Sequence, residues 1–153
     1  MARTLGATHA RADSLRSEAL YHMEHHYLAG DFGHLRTLAR QLVDQPAEPR
    51  DLARGLALAR QDAAARAGVY AEWTLARALR LNGRPGEALT HANRAVRLGT
   101  PEADFWLERA ACQDALGLAD DARLSRRVAR RINPRAERRF VAGPGSRLEG
   151  PTS

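Results

Sequence analysis

The sequence predicts an all-α fold, a short solenoid of helical hairpins with about seven helices, and three observations lead to this prediction. Hydrophobic residues make up 44% of the 153-residue chain but aromatic residues only 5%, and most apolar positions hold Ala or Leu, which favour helices. The β-branched residues that favour strands are scarce, and the only isoleucine is Ile132. The chain also matches itself at an offset of 34 residues, which is typical of stacked helical hairpins.

Apolar residues recur with the helical period in seven segments, and each segment ends at a residue that stops a helix. The predicted helices cover residues 11–29, 33–44, 48–67, 69–82, 85–98, 102–116 and 119–132. In the same order, the breaks contain Gly30, Pro46, Gly68, Gly83 with Pro85, Gly99 with Pro101, and Gly117. Glycine ends a helix because it readily adopts the left-handed backbone conformation, and proline because it cannot continue the helical hydrogen bonds.

The helical domain is predicted to span residues 11–136, between a flexible N-terminus (residues 1–10) and a tail (residues 137–153) that is basic and then rich in Gly and Pro. No apolar run has the length of a signal peptide core or a membrane span. Cys112 is the only cysteine, which excludes an intrachain disulfide and fits a reducing compartment. We therefore expect a cytoplasmic protein.

The net charge of +6 comes from arginine alone, because the 24 basic residues include no lysine. Such a bias is typical of GC-rich coding. The total charge is therefore weak evidence for an anionic partner, and a local cluster of arginines would be stronger evidence.

The self-match relates residues 69–102 to residues 103–136. The matched pairs are Ala76 with Ala110, Gly83 with Gly117, Ala88 with Ala122, Ala95 with Ala129, and Leu98 with Ile132. These are the positions that a helical hairpin needs, because small residues let two helices approach closely and glycine lets the chain reverse.

The second of these units has the residue order of a known repeat. Counting from Ala103, the unit carries Trp106, Ala110, Gly117, Ala122, Ala129 and Pro134 at characteristic positions. The order resembles the tetratricopeptide repeat, a hairpin of 34 residues whose copies stack into a superhelix. The unit at 69–102 departs from it in two places: Trp73 comes one position late, and Thr100 replaces the proline.

The resemblance extends more weakly to an earlier unit. Residues 16–49 align as a degenerate repeat through Gly30, Phe32, Leu35, Ala39 and Leu42, with Met23 at the eighth position. Residues 50–68 are then left over as an extra helix between this unit and the two clear repeats.

In tetratricopeptide proteins, the first helices of the repeats line a concave groove that holds a peptide or helix of a partner protein. The resemblance therefore implies partner binding by Tyr70, Trp73, Arg77, Arg80, Leu107 and Asp114. Aromatic residues and arginine also dominate binding hot spots, and an arginine-bearing groove suits an acidic segment. A second interpretation of Trp73 is a core residue displaced by one position. Short solenoids complete their ends by self-association, so a homodimer is also expected.

The last predicted helix carries a stripe of arginines: Arg123, Arg126, Arg127, Arg130 and Arg131. Their spacing places them on one helix face, and the like charges repel one another. Two interpretations follow, the solvated outer face of a terminal helix, which we favour, and an alternative in which the stripe binds nucleic acid through its phosphates. The sequence has no motif for reading bases.

Two further candidate sites are weaker. His22 and His26 lie one helical turn apart, as the ligands of a metal ion could, but the spacing specifies no third ligand, so we expect packed or exposed histidines. No nucleophile elbow, phosphate-binding loop or dinucleotide fingerprint is present. Cys112 matches Ala78 of the preceding unit and is expected to be a small packing residue. We therefore predict a protein without catalytic activity or cofactor.

Overall fold

The computed structural model of the chain describes residues 34–140 and, before them, residues 11, 14, 15, 17–19, 21 and 22. The described residues before position 23 are all helical, in agreement with the helix predicted there. The rest of that helix, with Met23, Gly30 and Phe32 of the degenerate repeat, lies outside the described residues. The predicted flexible N-terminus and the tail from residue 141 also lie outside them.

Between residues 34 and 140 the regular structure is helical throughout, which confirms the predicted all-α class. The helices of this range are α1 (Leu35–Asp44), α2 (Pro49–Ala65), α3 (Val69–Leu81), α4 (Pro85–Arg97), α5 (Ala103–Ala115), α6 (Ala119–Ile132) and α7 (Ala136–Arg139). The first six begin and end within two residues of predicted helices. Helix α7 was not predicted, because its 4 residues are too few to show a periodic pattern.

Consecutive helices pack in pairs. Helices α1 and α2, α3 and α4, and α5 and α6 form three hairpins, and further contacts join α2 to α3 and α4 to α5. The odd-numbered helices also contact one another, α1 with α3, α3 with α5, and α5 with α7. The helix that the sequence analysis set apart as an extra one, residues 50–68, is α2, and it is the hairpin partner of α1.

The small residues of the 34-residue match lie in the core. Ala76, Ala88, Ala95, Ala110, Ala122 and Ala129 are each at most 1% exposed. Because alanine adds little bulk, the helices of each hairpin can approach closely at these positions. The apolar pair at the end of the match is different: Leu98 is 73% exposed, whereas Ile132 packs against the core of the last hairpin.

The turns of the two clear repeats have the same geometry. Gly83 and Gly117 follow the ends of α3 and α5 with φ of 73° and 74°. In the first turn, the N–H of Arg84 donates to the carbonyl of Leu79 at 2.9 Å; in the second, the N–H of Leu118 donates to the carbonyl of Gln113 at 2.8 Å. Both are helix ends in which glycine supplies the left-handed residue. The matched glycines are therefore explained by backbone conformation.

Helices α1 and α2 approach each other closely at Gly55. A Cβ atom at this position would lie 2.6 Å from Cγ1 of Val43, 3.2 Å from Cβ of Leu42 and 3.1 Å from the carbonyl oxygen of Ala39. Val43 is fully buried and has a stiff, branched side chain, so it cannot move aside freely.

Gly55→Ala should therefore destabilise the protein by about 1–3 kcal/mol through overpacking, although alanine favours a helix over glycine by about 1 kcal/mol. The free energy of unfolding in urea, followed by circular dichroism at 222 nm (a conventional helix signal), measures the change. Gly86→Ala is the matched control, because a Cβ atom there meets nothing within 4 Å. A Gly55→Ala protein as stable as the Gly86→Ala protein would contradict the close approach.

Candidate functional site

A cavity of about 390 Å³ opens along the odd-numbered helices, and we call it the inner groove. The residues that line it are Arg40, Asp44, Gln45, Trp73, Arg77, Asp104, Arg139 and Phe140. They come from α1 and the residue after it, from α3, from α5, and from α7 and the residue after it. The groove therefore depends on the packing of four segments that are far apart in the sequence.

Trp73 is the main aromatic side chain of the inner groove, although it is only 7% exposed. Its ring packs against Phe105, with 5.5 Å between the ring centroids. The guanidinium of Arg40 lies over the indole at 4.5 Å from its centroid, within the range of a cation–π contact. The two interpretations of Trp73 are thus not exclusive, because the residue is part of the core and also lines the cavity.

The indole N–H of Trp73 is buried and has no hydrogen-bond partner among the described residues. A buried donor without an acceptor is costly, since its hydration is lost and not replaced. An acceptor that reached Trp73 through the groove would remove this cost.

Arg77 forms the wall of the inner groove next to Trp73, and its charge is compensated within the chain. Its Nε donates a hydrogen bond to Oδ1 of Asp44, and its Nη1 donates to Oε2 of Glu108 at 3.0 Å. Burial alone would lower the pKa of Arg77, but the carboxylates of Glu108 and Asp44 outweigh it and raise the pKa above its usual value. The ring of Phe140 lies 5.5 Å from this guanidinium.

Glu108 connects Arg77 to Arg80. It is fully buried on α5, and its Oε2 also accepts a hydrogen bond at 3.1 Å from Nη2 of Arg80. The nearby thiol of Cys112 is buried as expected of a packing residue, and burial raises its pKa to about 12, with the charge of Glu108 acting in the same direction. The two arginines predicted to contact a partner therefore hold α3 to α5.

Glu108 was missed by the sequence analysis, although the sequence contains a signal for it. The residue lies three positions after Phe105 and four before Cys112, which places a carboxylate on an otherwise buried face of α5. A buried carboxylate requires a basic partner. The sequence pattern does not identify which of the 24 arginines is the basic partner of Glu108.

The other predicted groove residues lie elsewhere. Tyr70 is 43% exposed, and its hydroxyl donates to Oε1 of Glu102 at 3.1 Å. This hydrogen bond and the negative charge of Glu102 raise the pKa of Tyr70. Leu107 is buried in the core of the last hairpin, and Asp114 is exposed, where it accepts a hydrogen bond from Arg126. Among the predicted residues, Trp73 and Arg77 are thus the two that line the inner groove.

The predicted arginine stripe on α6 is partly neutralised by carboxylates. Arg123 pairs with Asp120, Arg126 with Asp114, and Arg130 with Glu137. Arg127 and Arg131 are exposed and have no ion-pair partner in the described part of the chain. The repulsion that the sequence analysis expected along this stripe is therefore reduced at three of its positions.

The predicted histidine pair is described only in part. His22 is helical and exposed, with its ring centroid 5.8 Å from that of Tyr21. His26 lies outside the described residues. Across the residues that are described, no group of three or more His, Cys, Asp or Glu side chains is arranged to hold a metal ion.

Comparisons of this chain with protein-family models, with curated proteins and with solved structures give no match. None of the helices in the described ranges is both long and apolar enough to cross a lipid bilayer.

Proposed function

We propose that this protein is a non-enzymatic interaction module, a short tetratricopeptide-like superhelix that binds a peptide or helix of another protein in the inner groove. The observation that carries the proposal is the cavity along α1, α3, α5 and α7, which is lined by Trp73. The matching backbone geometry of the two glycine turns, at Gly83 and Gly117, supports the resemblance to the repeat family. The module needs no cofactor, and its lone thiol fits a reducing compartment such as the cytoplasm.

The inner groove combines apolar surface with charges that are still available. Trp73 and Phe140 offer aromatic surface, and burial of such surface is a main source of binding energy. Arg139 makes no ion pair among the described residues. Arg40 lies 3.7 Å from Asp44, but this carboxylate already forms an ion pair with Arg77, so the charge of Arg40 is only partly compensated. A partner segment that inserts an apolar side chain and presents a carboxylate would satisfy both kinds of surface.

The module can be tested by inverting two exposed charges at the edge of the groove while its buried residues are kept. Arg40 and Asp104 both line the groove; the side chain of Arg40 is 44% exposed and Asp104 is exposed. The double variant Arg40→Glu/Asp104→Arg leaves the net charge unchanged. We expect it to lose most of the protein partners that the tagged chain retains from lysate of its own cells, while its circular dichroism stays that of the original.

The matched control is Arg60→Glu/Asp121→Arg. Arg60 lies on α2 and Asp121 in the first turn of α6, both exposed and away from the inner groove, and Asp104 is likewise in the first turn of its helix. This control should retain every partner. Equal retention by the two double variants, compared by quantitative mass spectrometry, would contradict binding in the groove.

A further inference from the structure

Among residues 34–140, arginines without an ion-pair partner are concentrated after position 126. Between residues 34 and 140, most arginines lie within 4.0 Å of a carboxylate, such as Arg36 with Asp62 at 2.8 Å. Five that make no such contact lie close together in the sequence: Arg127, Arg131, Arg135, Arg138 and Arg139. We call these five residues the C-terminal arginine patch. The others of this range are Arg60, Arg97 and Arg109, on three different helices.

This concentration differs from what an arginine-rich composition alone would give. A bias in coding raises the number of arginines everywhere, and elsewhere in the described chain most arginines form an ion pair with a carboxylate, with Arg60, Arg97 and Arg109 as exceptions on three different helices. Like charges close together also disfavour the folded state unless something neutralises them. The C-terminal arginine patch is therefore the part of the described surface where an anionic partner is most needed.

The patch has a shape that suits a chain of anions. Arg127 and Arg131 are exposed on one face of α6, one helical turn or about 6 Å apart. Beyond the helix, Arg135, Arg138 and Arg139 surround a cavity of about 450 Å³ together with Asn133. The side-chain oxygen of Asn133 accepts the N–H of Arg135 at 3.0 Å, which leaves its amide N–H groups as donors.

The acidic groups near the patch leave its charge uncompensated. Glu137 pairs with Arg130, at 3.3 Å. Glu102 and Asp104 line a neighbouring cavity with Arg139 but do not form an ion pair with it.

We propose that the C-terminal arginine patch binds the phosphate backbone of a nucleic-acid strand, at a site that adjoins the inner groove through Arg139. Guanidinium groups bind phosphates through two parallel hydrogen bonds, and asparagine amides commonly add a further one. A nucleic-acid strand carries one phosphate per nucleotide, so several phosphates of one strand can each meet an arginine of the patch. Binding would not depend on base sequence, since these contacts reach only the backbone.

The test compares two variants with the same loss of charge. The patch variant is Arg127→Gln/Arg131→Gln/Arg135→Gln/Arg138→Gln, which leaves Arg139 in place because it also lines the inner groove. The control is Arg50→Gln/Arg60→Gln/Arg84→Gln/Arg97→Gln, four exposed arginines on or next to α2 and α4. The probe is a fluorescein-labelled single-stranded RNA of about 20 nucleotides and mixed sequence, measured by anisotropy at low and high salt.

We expect the patch variant to bind this RNA at least ten times more weakly at low salt, and the control to bind within about twofold of the original. Each lost phosphate contact should make the slope of log K against log salt less steep by about 0.7. The variant Arg40→Glu/Asp104→Arg should not lose RNA affinity, because it removes no arginine of the patch, so failure of the groove and failure of the patch are distinguishable.

Three outcomes would overturn the proposal. The first is absence of RNA binding at low salt. The second is an equal loss in the control variant, which would indicate attraction by net charge alone. The third is tighter binding of poly-glutamate of equal length, or of phosphatidylserine vesicles, than of RNA, which would assign the patch to an acidic protein or a membrane surface.

Discussion

Glu108→Ala is expected to destabilise the protein by about 3–5 kcal/mol, because it removes the carboxylate that forms ion pairs with both Arg77 and Arg80, two largely buried arginines. Nη1 of Arg77 would lose its partner at 3.0 Å, and Arg80 would lose the acceptor of both its Nε and its Nη2. Asp44 would remain for Arg77, but it is on α1 and therefore links α3 to α1 and not to α5. Urea unfolding followed by circular dichroism measures the change.

Glu87→Ala is the control for this prediction. Glu87 is exposed on α4 and pairs with Arg84 at the surface, where an ion pair contributes about 0–1 kcal/mol. If Glu108→Ala unfolded at the same urea concentration as Glu87→Ala, the ion pairs of Glu108 would not stabilise the fold. Glu108→Gln should fall between the two variants, because it keeps the hydrogen-bond acceptor and removes the charge.

Trp73→Ala is expected to cost about 3–5 kcal/mol, because it leaves a large cavity between α3, α5 and α1. The indole packs against Phe105 and is covered by Arg40. Because Trp73 is only 7% exposed, removal of its side chain would leave a space that is empty or filled by water. The expected result is a lower midpoint of urea unfolding with an unchanged slope. Trp73→Phe should recover much of the loss, since it restores an aromatic ring.

Trp106→Ala is the comparison for this second prediction. Trp106 is only partly buried, where it packs at the edge of the last hairpin with Arg109 over its ring at 5.4 Å. Its loss should therefore cost less than the loss of Trp73. Equal effects of the two alanine variants would contradict the central position of Trp73.

These two predictions also decide how partner binding should be tested. Replacement of Trp73 or Arg77 by alanine changes the groove and the core together, so loss of a partner would have two explanations. The edge residues Arg40 and Asp104 reduce this difficulty, because both are exposed and the contact of Arg40 with the core is its guanidinium over the Trp73 ring. The same reasoning leaves Arg139 out of the RNA-binding variant.

The helices themselves were determined by the sequence. Apart from α7, which was not predicted, each helix in residues 34–140 begins and ends within two residues of its predicted limits, because periodicity, glycine and proline act over a few neighbouring residues. Gly83 and Gly117 are examples: only the local backbone decides that their φ is positive. The buried alanines of the 34-residue match were also identifiable, since their spacing records the faces that pack.

The composition of the inner groove was decided by the tertiary structure. Trp73 and Arg77 could be placed on an inner helix from the sequence, but Asp44 and Glu108 lie 33 and 31 residues away from Arg77. Likewise, α2 could be predicted as a helix but not as the hairpin partner of α1, and Arg126 could be predicted as basic but not as paired with Asp114. A periodic pattern states which face of a helix is buried or charged, whereas the neighbour of that face depends on how all the helices pack together.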